Sequence, residues 1–135
     1  MNDEPESRTE AGPSVRLRAF GFDDVHPLWG GQSLSAKDHL PAEVCVVDVT
    51  HVERRFRLTL TREEWASVER LVSESGLLTA EMPLRDGIPD EGRPSITLVL
   101  ASGETVVFAK WANDRVPAFD VVLERLGALA DRSGG

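Results

Sequence analysis

The chain has 135 residues, 41% hydrophobic and 28% charged, with a net charge of −8. That length can hold one self-sufficient core, and the acidic balance opposes nucleic-acid binding, which needs clustered Lys and Arg. No apolar run approaches the roughly 18 residues needed to cross a bilayer, and the lone cysteine, Cys45, excludes an internal disulfide.

Residues 1–13 are polar, with Asp3, Glu4, Glu6 and Glu10 against Arg8, and two prolines. They are expected to be a disordered acidic tail. With no basic start and no apolar segment they do not read as a signal peptide, which points to the cytoplasm. Residues 14–131 read as one domain, and 132–135 as a fraying end. Lysine occurs only at Lys37 and Lys110, arginine is abundant and tyrosine is absent. That bias reads as bacterial, high-GC coding and not as chemistry.

Val15-Arg16-Leu17-Arg18-Ala19 alternates apolar and basic, the pattern of a half-buried strand. The stretch 21–27, with Gly21, Asp23, Asp24 and Pro27, reads as its break. Residues 29–35 are a weaker strand, loosened by Gly30 and Gly31, and 37–41 a turn. Residues 43–50 form the most β-branched run, a central strand. In 55–60 Phe56, Leu58 and Leu60 alternate inward against Arg55, Arg57 and Thr59. Four strands with short turns predict an antiparallel meander.

Thr61-Arg62-Glu63-Glu64 is a capping box, followed by Trp65, Val68, Leu71 and Val72 at helical spacing. Gly76 is placed to stop that helix in a left-handed conformation, and Leu77-Leu78 to tuck onto the core. Residues 82–94 form a long loop rich in Pro and Gly, the kind that is either functional or mobile. Strands 95–100 and 104–109 flank a Ser102-Gly103 turn. A last helix follows, capped by Asn113 or Asp114, with the stripe Phe119, Val122, Leu123, Leu126, Leu129 and Ala130. The order β-β-β-β-α-loop-β-β-α predicts an α+β fold: a mostly antiparallel sheet with both helices on one face.

The segments LTREEWASVERLV (60–72) and GIPDEGRPSITLVL (87–100), with the hairpin and closing amphipathic helix, carry a resemblance. In pattern, over about 15–130, the chain resembles a bacterial family of domains of unknown function. It departs where that family has a simple Asp-Gly hairpin turn, since 37–42 is longer and carries Leu40-Pro41. The resemblance implies the α+β fold and brings no activity, cofactor or catalytic residue.

Several constellations carry potential chemistry. His26, His39 and His51 lie among Asp23, Asp24, Asp38 and Asp48. A meander puts His26 and His51 at one end of the sheet and His39 at the other, roughly 20 Å away. A metal set is therefore confined to His26, His51, Asp23 and Asp24, without the His-x-x-x-His or Cys-x-x-Cys spacing of a strong site. Cys45 reads as a buried small hydrophobe. Asp86, Asp90 and Glu91 read as a solvated acidic loop, which Lys110 and Arg115 could meet if it folds over the hairpin exit. Trp111 beside them is the residue type that anchors interfaces. Arg16, Arg18, Arg55 and Arg57 would form a basic patch if the first and fourth strands were close. No nucleophile elbow or phosphate-binding glycine motif occurs.

The expectation is a small non-enzymatic domain that binds another protein, scaffolding or neutralising it in the manner of an immunity or antitoxin factor. Its surface would hold Asp86, Asp90, Glu91, Lys110, Trp111 and Arg115. No cofactor, nucleic acid or membrane is expected. The alternative is a metal- or small-ligand-binding, or enzymatic, domain using Asp23, Asp24, His26 and His51.

Overall fold

The computed structural model describes residues 15–134; the acidic tail lies outside them. Strands β1 (Leu17–His26), β2 (Gly30–Lys37), β3 (Ala42–Val47) and β4 (Glu53–Leu58) precede helix α1 (Arg62–Ser75) and a 3-10 turn (Leu77–Thr79). Strands β5 (Ser95–Leu100) and β6 (Thr105–Ala109) and helix α2 (Pro117–Gly134) follow. The six strands form one antiparallel sheet in the order β4-β3-β2-β1-β5-β6. The meander is present, and the hairpin adds to the other side of β1. The fold is α+β.

Strand alternation sorts the sheet into two faces. Phe20, Phe22, Leu34, Ala36, Val44, Ile96 and Leu98 lie on one face and are buried in a single cluster with Val68, Val72, Leu77, Phe119, Val122 and Leu126. Each helix touches that face. The Phe20 and Trp65 rings lie 4.6 Å apart, and Gln32 Nε2 donates to Asp131 Oδ1 from β2 to α2. The opposite face holds Ala19, Gly21, Asp23, Ser33, Ser35, Glu43, Cys45, Arg55, Arg57, Thr97 and Val107, which the register places in adjoining rows.

The capping box forms as written. Thr61 Oγ1 accepts from the Glu64 N–H and Glu64 Oε1 from the Thr61 N–H. Burial pushes the Glu64 carboxyl up, but the Thr61 N–H and Arg132 outweigh it, so the group stays below its ordinary range. Arg132 reaches Glu64 and the Thr59 carbonyl, tying the end of α2 to the start of α1. Gly76 ends α1 at φ 82°. Leu77 is buried, whereas Leu78 stays at the surface.

Three sequence expectations are corrected. Residues 21–27 do not break the first strand, which runs through Gly21 to His26. Gly21 is there because β2 comes close: a Cβ would sit 2.3 Å from the Leu34 carbonyl oxygen. An interior strand glycine marks such an approach as well as a break. Neither Asn113 nor Asp114 caps α2. The helix starts at Pro117, whose fixed φ suits a first turn, and the Asp120 carboxylate takes the Val116 N–H. Finally, β2 and β3 separate β1 from β4. At about 4.8 Å per strand the arginines of the two cannot join into one patch.

Candidate functional site

Four connections meet at one end of the sheet. Antiparallel order brings together the β1–β2 turn (27–29), the β3–β4 turn (48–52), the loop 80–94 before β5 and the exit from β6 (110–116). Gly30 joins the first two turns, since a Cβ there would lie within 3 Å of the Val47 and Asp48 carbonyl oxygens. His26 joins the first turn to the loop. Its Nδ1 accepts from the Leu28 N–H at 2.9 Å, which leaves Nε2 to donate to the Asp90 carbonyl at 2.6 Å. Its ring stacks on Trp29 at 5.6 Å.

The loop itself is held by a charge knot. Arg85 Nη1 and Nη2 donate to Glu91 Oε1 and Oε2 at 3.1 and 2.6 Å, a bidentate pair, and Arg85 Nε donates to Asp114 Oδ1 at 2.9 Å. Glu91 also accepts the Ile88 and Asn113 N–H groups. Its side chain is only 1% exposed. The two Arg85 bonds, backed by those amides, hold the Glu91 carboxyl down at about 2, and the same pairing raises Arg85 above its ordinary range. The knot encircles Trp111, whose Nε1 donates to the Arg85 carbonyl at 2.9 Å. Arg93 lies over the indole at 4.7 Å, a cation–π contact, and Gly87 presses against it so closely that a Cβ would fall 2.5 Å from the ring.

The acidic loop is therefore not solvated at Glu91, and the expected partners are corrected. Glu91 pairs with Arg85, not with Lys110 or Arg115. Lys110 is buried and turns to Asp120 and to the Asp114 carbonyl. Asp86, Asp90 and Arg115 are exposed. Glu91, Lys110 and Trp111 thus brace this end from within. Arg85 was missed because its partners lie six and 29 positions away in the chain, at no helical or strand spacing.

The histidine–aspartate set is not brought together. Asp23 and Asp24 are consecutive strand residues and point to opposite faces. Burial and the neighbouring Asp23 raise the Asp24 carboxyl, with Lys110 pulling the other way. Both His26 nitrogens are engaged, and His51 sits at φ 67° in a turn built by Asp48. Asp48 Oδ1 takes the Thr50 hydroxyl and the Thr50 and Val52 N–H groups, bonds that lower its carboxyl. Among the described residues no group of three or more His, Cys, Asp or Glu converges to hold a metal. Cys45 is half-buried on the open face, with its thiol 3.9 Å from Glu53 Oε1.

This end also presents large apolar side chains outward. Leu28, Trp29, Val49, Val52, Leu84 and Ile88 are all exposed, Trp29 by 62% and Leu84 by 99%. The open sheet face is the other concave surface. It carries two adjoining troughs of about 510 and 330 Å³ that share Asp23 and Ser35. Their open-face side chains mix acids (Asp23, Glu43), bases (Arg55, Arg57, Lys37) and hydroxyls (Ser33, Ser35, Thr97) without converging on one charge.

No family model matches the chain, and no curated protein and no solved structure matches it.

Proposed function

We propose that the protein is a binding module that recognises another protein through the loop-bearing end of its sheet. What supports this reading is the exposed apolar set Leu28, Trp29, Val49, Val52, Leu84 and Ile88, carried by turns that are themselves pinned. A monomeric surface rarely gathers large apolar side chains without a use for them. Trp at such a place is the commonest kind of interface anchor. Pinning matters energetically: a loop already held by the Arg85–Glu91 pair loses little freedom on binding, so more of the contact energy appears as affinity. Asp86, Asp90 and Arg115 are exposed on the same connections, polar groups of the kind that border an apolar interface centre. The role in the cell, whether scaffolding or neutralising, follows from the partner's identity.

The test uses tagged full-length protein as bait in its host, with Trp29→Ala and Ile88→Asp baits beside it. Affinity for the captured partner is then measured with both proteins purified. An anchor worth about 2 kcal/mol corresponds to roughly thirtyfold weaker binding, and that loss is expected for each variant with its circular dichroism unchanged. Equal affinity of wild type and both variants would overturn the reading.

A further inference from the structure

The two edges of the sheet are unlike. β4, Glu53-Arg54-Arg55-Phe56-Arg57-Leu58, is guarded by charge along its length. β6, Thr105-Val106-Val107-Phe108-Ala109, has no charge, proline or glycine. Charged residues and prolines are what keep exposed edges from pairing.

The hydrogen-bond phase of β6 settles which of its backbone groups are open. Leu100 N–H donates to the Glu104 carbonyl and Lys110 N–H to the Pro94 carbonyl, and the register joins Val106 to Leu98 and Phe108 to Ile96 between them. Antiparallel ladders alternate, so the residues between these, Thr105, Val107 and Ala109, turn their N–H and C=O groups to the free side. No bond closes those groups among the described residues. Val107 is 62% exposed on the open face, and Val106 and Phe108 are only partly buried on the other.

We infer that β6 is a docking edge for a second copy of this chain, pairing antiparallel with its own counterpart about a twofold axis at Val107. This strand is its own complement. The axis sets Val107 opposite Val107 and Thr105 opposite Ala109, each pair exchanging both of its backbone hydrogen bonds. It sets Phe108 beside Val106 of the other copy, covering the apolar strip the edge leaves half-open. The outermost pair is Glu104 with Lys110, whose ammonium is turned inward to Asp120, so no like charges meet. The product is one continuous sheet made from the two six-stranded sheets. The surface is separate from the loop-bearing end, so the inference stands apart from the reading of that end.

The experiment is sedimentation of the full chain across a concentration series, together with oxidative trapping. Wild type is expected to pass from monomer to dimer. Val107→Pro removes only the outward N–H, a change edge strands tolerate, and is expected to stay monomeric where wild type is at least half dimer. Val107→Lys, which sets like charges opposite one another, is expected to weaken the dimer without relying on proline. In a Cys45→Ser background, Val107→Cys is expected to form a disulfide dimer, since hydrogen-bonded pairs stand about 5.5 Å apart at Cα, within disulfide reach. Arg55→Cys on the guarded edge should not. Ile88→Asp should dimerise like wild type. Three results would overturn the inference: a wild type monomeric at its highest soluble concentration, a dimer unchanged in both Val107 variants, or no Val107→Cys crosslink in a sample that dimerises.

Discussion

The loop 80–94 and the helix-free face of the sheet draw their charges from the same kinds of residue, Asp, Glu and Arg. The open face spreads its charges. Arg55 and Glu53 pair at the surface, both more than half exposed, and such pairs contribute little to stability. The loop concentrates its charges. Arg85, Glu91 and Asp114 meet around an indole, and Glu91 is taken out of water altogether. A buried carboxylate is tolerable only when its lone pairs are used, and Glu91 accepts from the Arg85 fork and from two amides. Local composition therefore does not decide whether a polar stretch is solvated. The number of donors that converge on its charges does.

The sharpest way to break the contrast is Glu91→Ala. It takes the carboxylate fork from Arg85, which keeps only Asp114 and the Asp86 carbonyl, and leaves the Ile88 and Asn113 N–H groups without their acceptor. Loop opening is expected to become at least about tenfold more populated, read as the rate of limited proteolysis within 80–94. The sheet and helices should keep their circular dichroism. Cleavage at the wild-type rate would mean that the knot does not hold the loop.

Gly87→Ala attacks the same knot from its apolar side. The new Cβ would press on the Trp111 ring, 2.5 Å from its nearest atom and well inside van der Waals contact, so the loop or the indole must move. Trp111 fluorescence is expected to shift to the red, read in a Trp29→Phe, Trp65→Phe background against the same background with Gly87. An unshifted spectrum would show that the ring can yield without exposure.

Acid should dissolve the difference between the two regions gradually. Glu91 ionises at about 2 in the folded protein and at its ordinary 4.5 in the unfolded chain. A depressed carboxylate stabilises fully above its unfolded value and loses that contribution as the pH falls through the folded one. Amide protection at Ile88 and Asn113 is therefore expected to be flat above pH 4.5 and to fall between 4.5 and 2. Protection that collapses already above pH 5 would place the controlling group elsewhere.

Legibility in the sequence followed the range of the interactions. The Thr61–Glu64 box, the Gly76 stop, the Ser102-Gly103 hairpin and the Phe119 to Ala130 stripe are local, and each was written in residues a few positions apart. The placement of His26 and His51 at one end also followed, because a meander has only two ends. Gly21 was misread because its reason is the Leu34 carbonyl on a neighbouring strand. Arg85 was invisible for the same reason, and so was the edge character of β6, which needs the strand order. Leu84 and Ile88 looked like any apolar residue in a long loop.

The smallest expected effect tests the other half of the contrast. Ser35 lies mid-sheet on the open face, where both troughs meet, and Thr97 lines the second of them. If this face is simply solvated, neither hydroxyl holds a partner whose loss would cost anything. Ser35→Ala and Thr97→Ala should then each change the free energy of unfolding by less than about 0.5 kcal/mol, the range for surface positions without a special role. The two should also add within about 0.5 kcal/mol in the double variant. A loss of 1 kcal/mol or more, on the order of a whole hydrogen bond, would show that the face holds an organised polar network like the one around Trp111. The contrast between the two regions would then be one of degree, and the troughs would become the next place to look for a ligand.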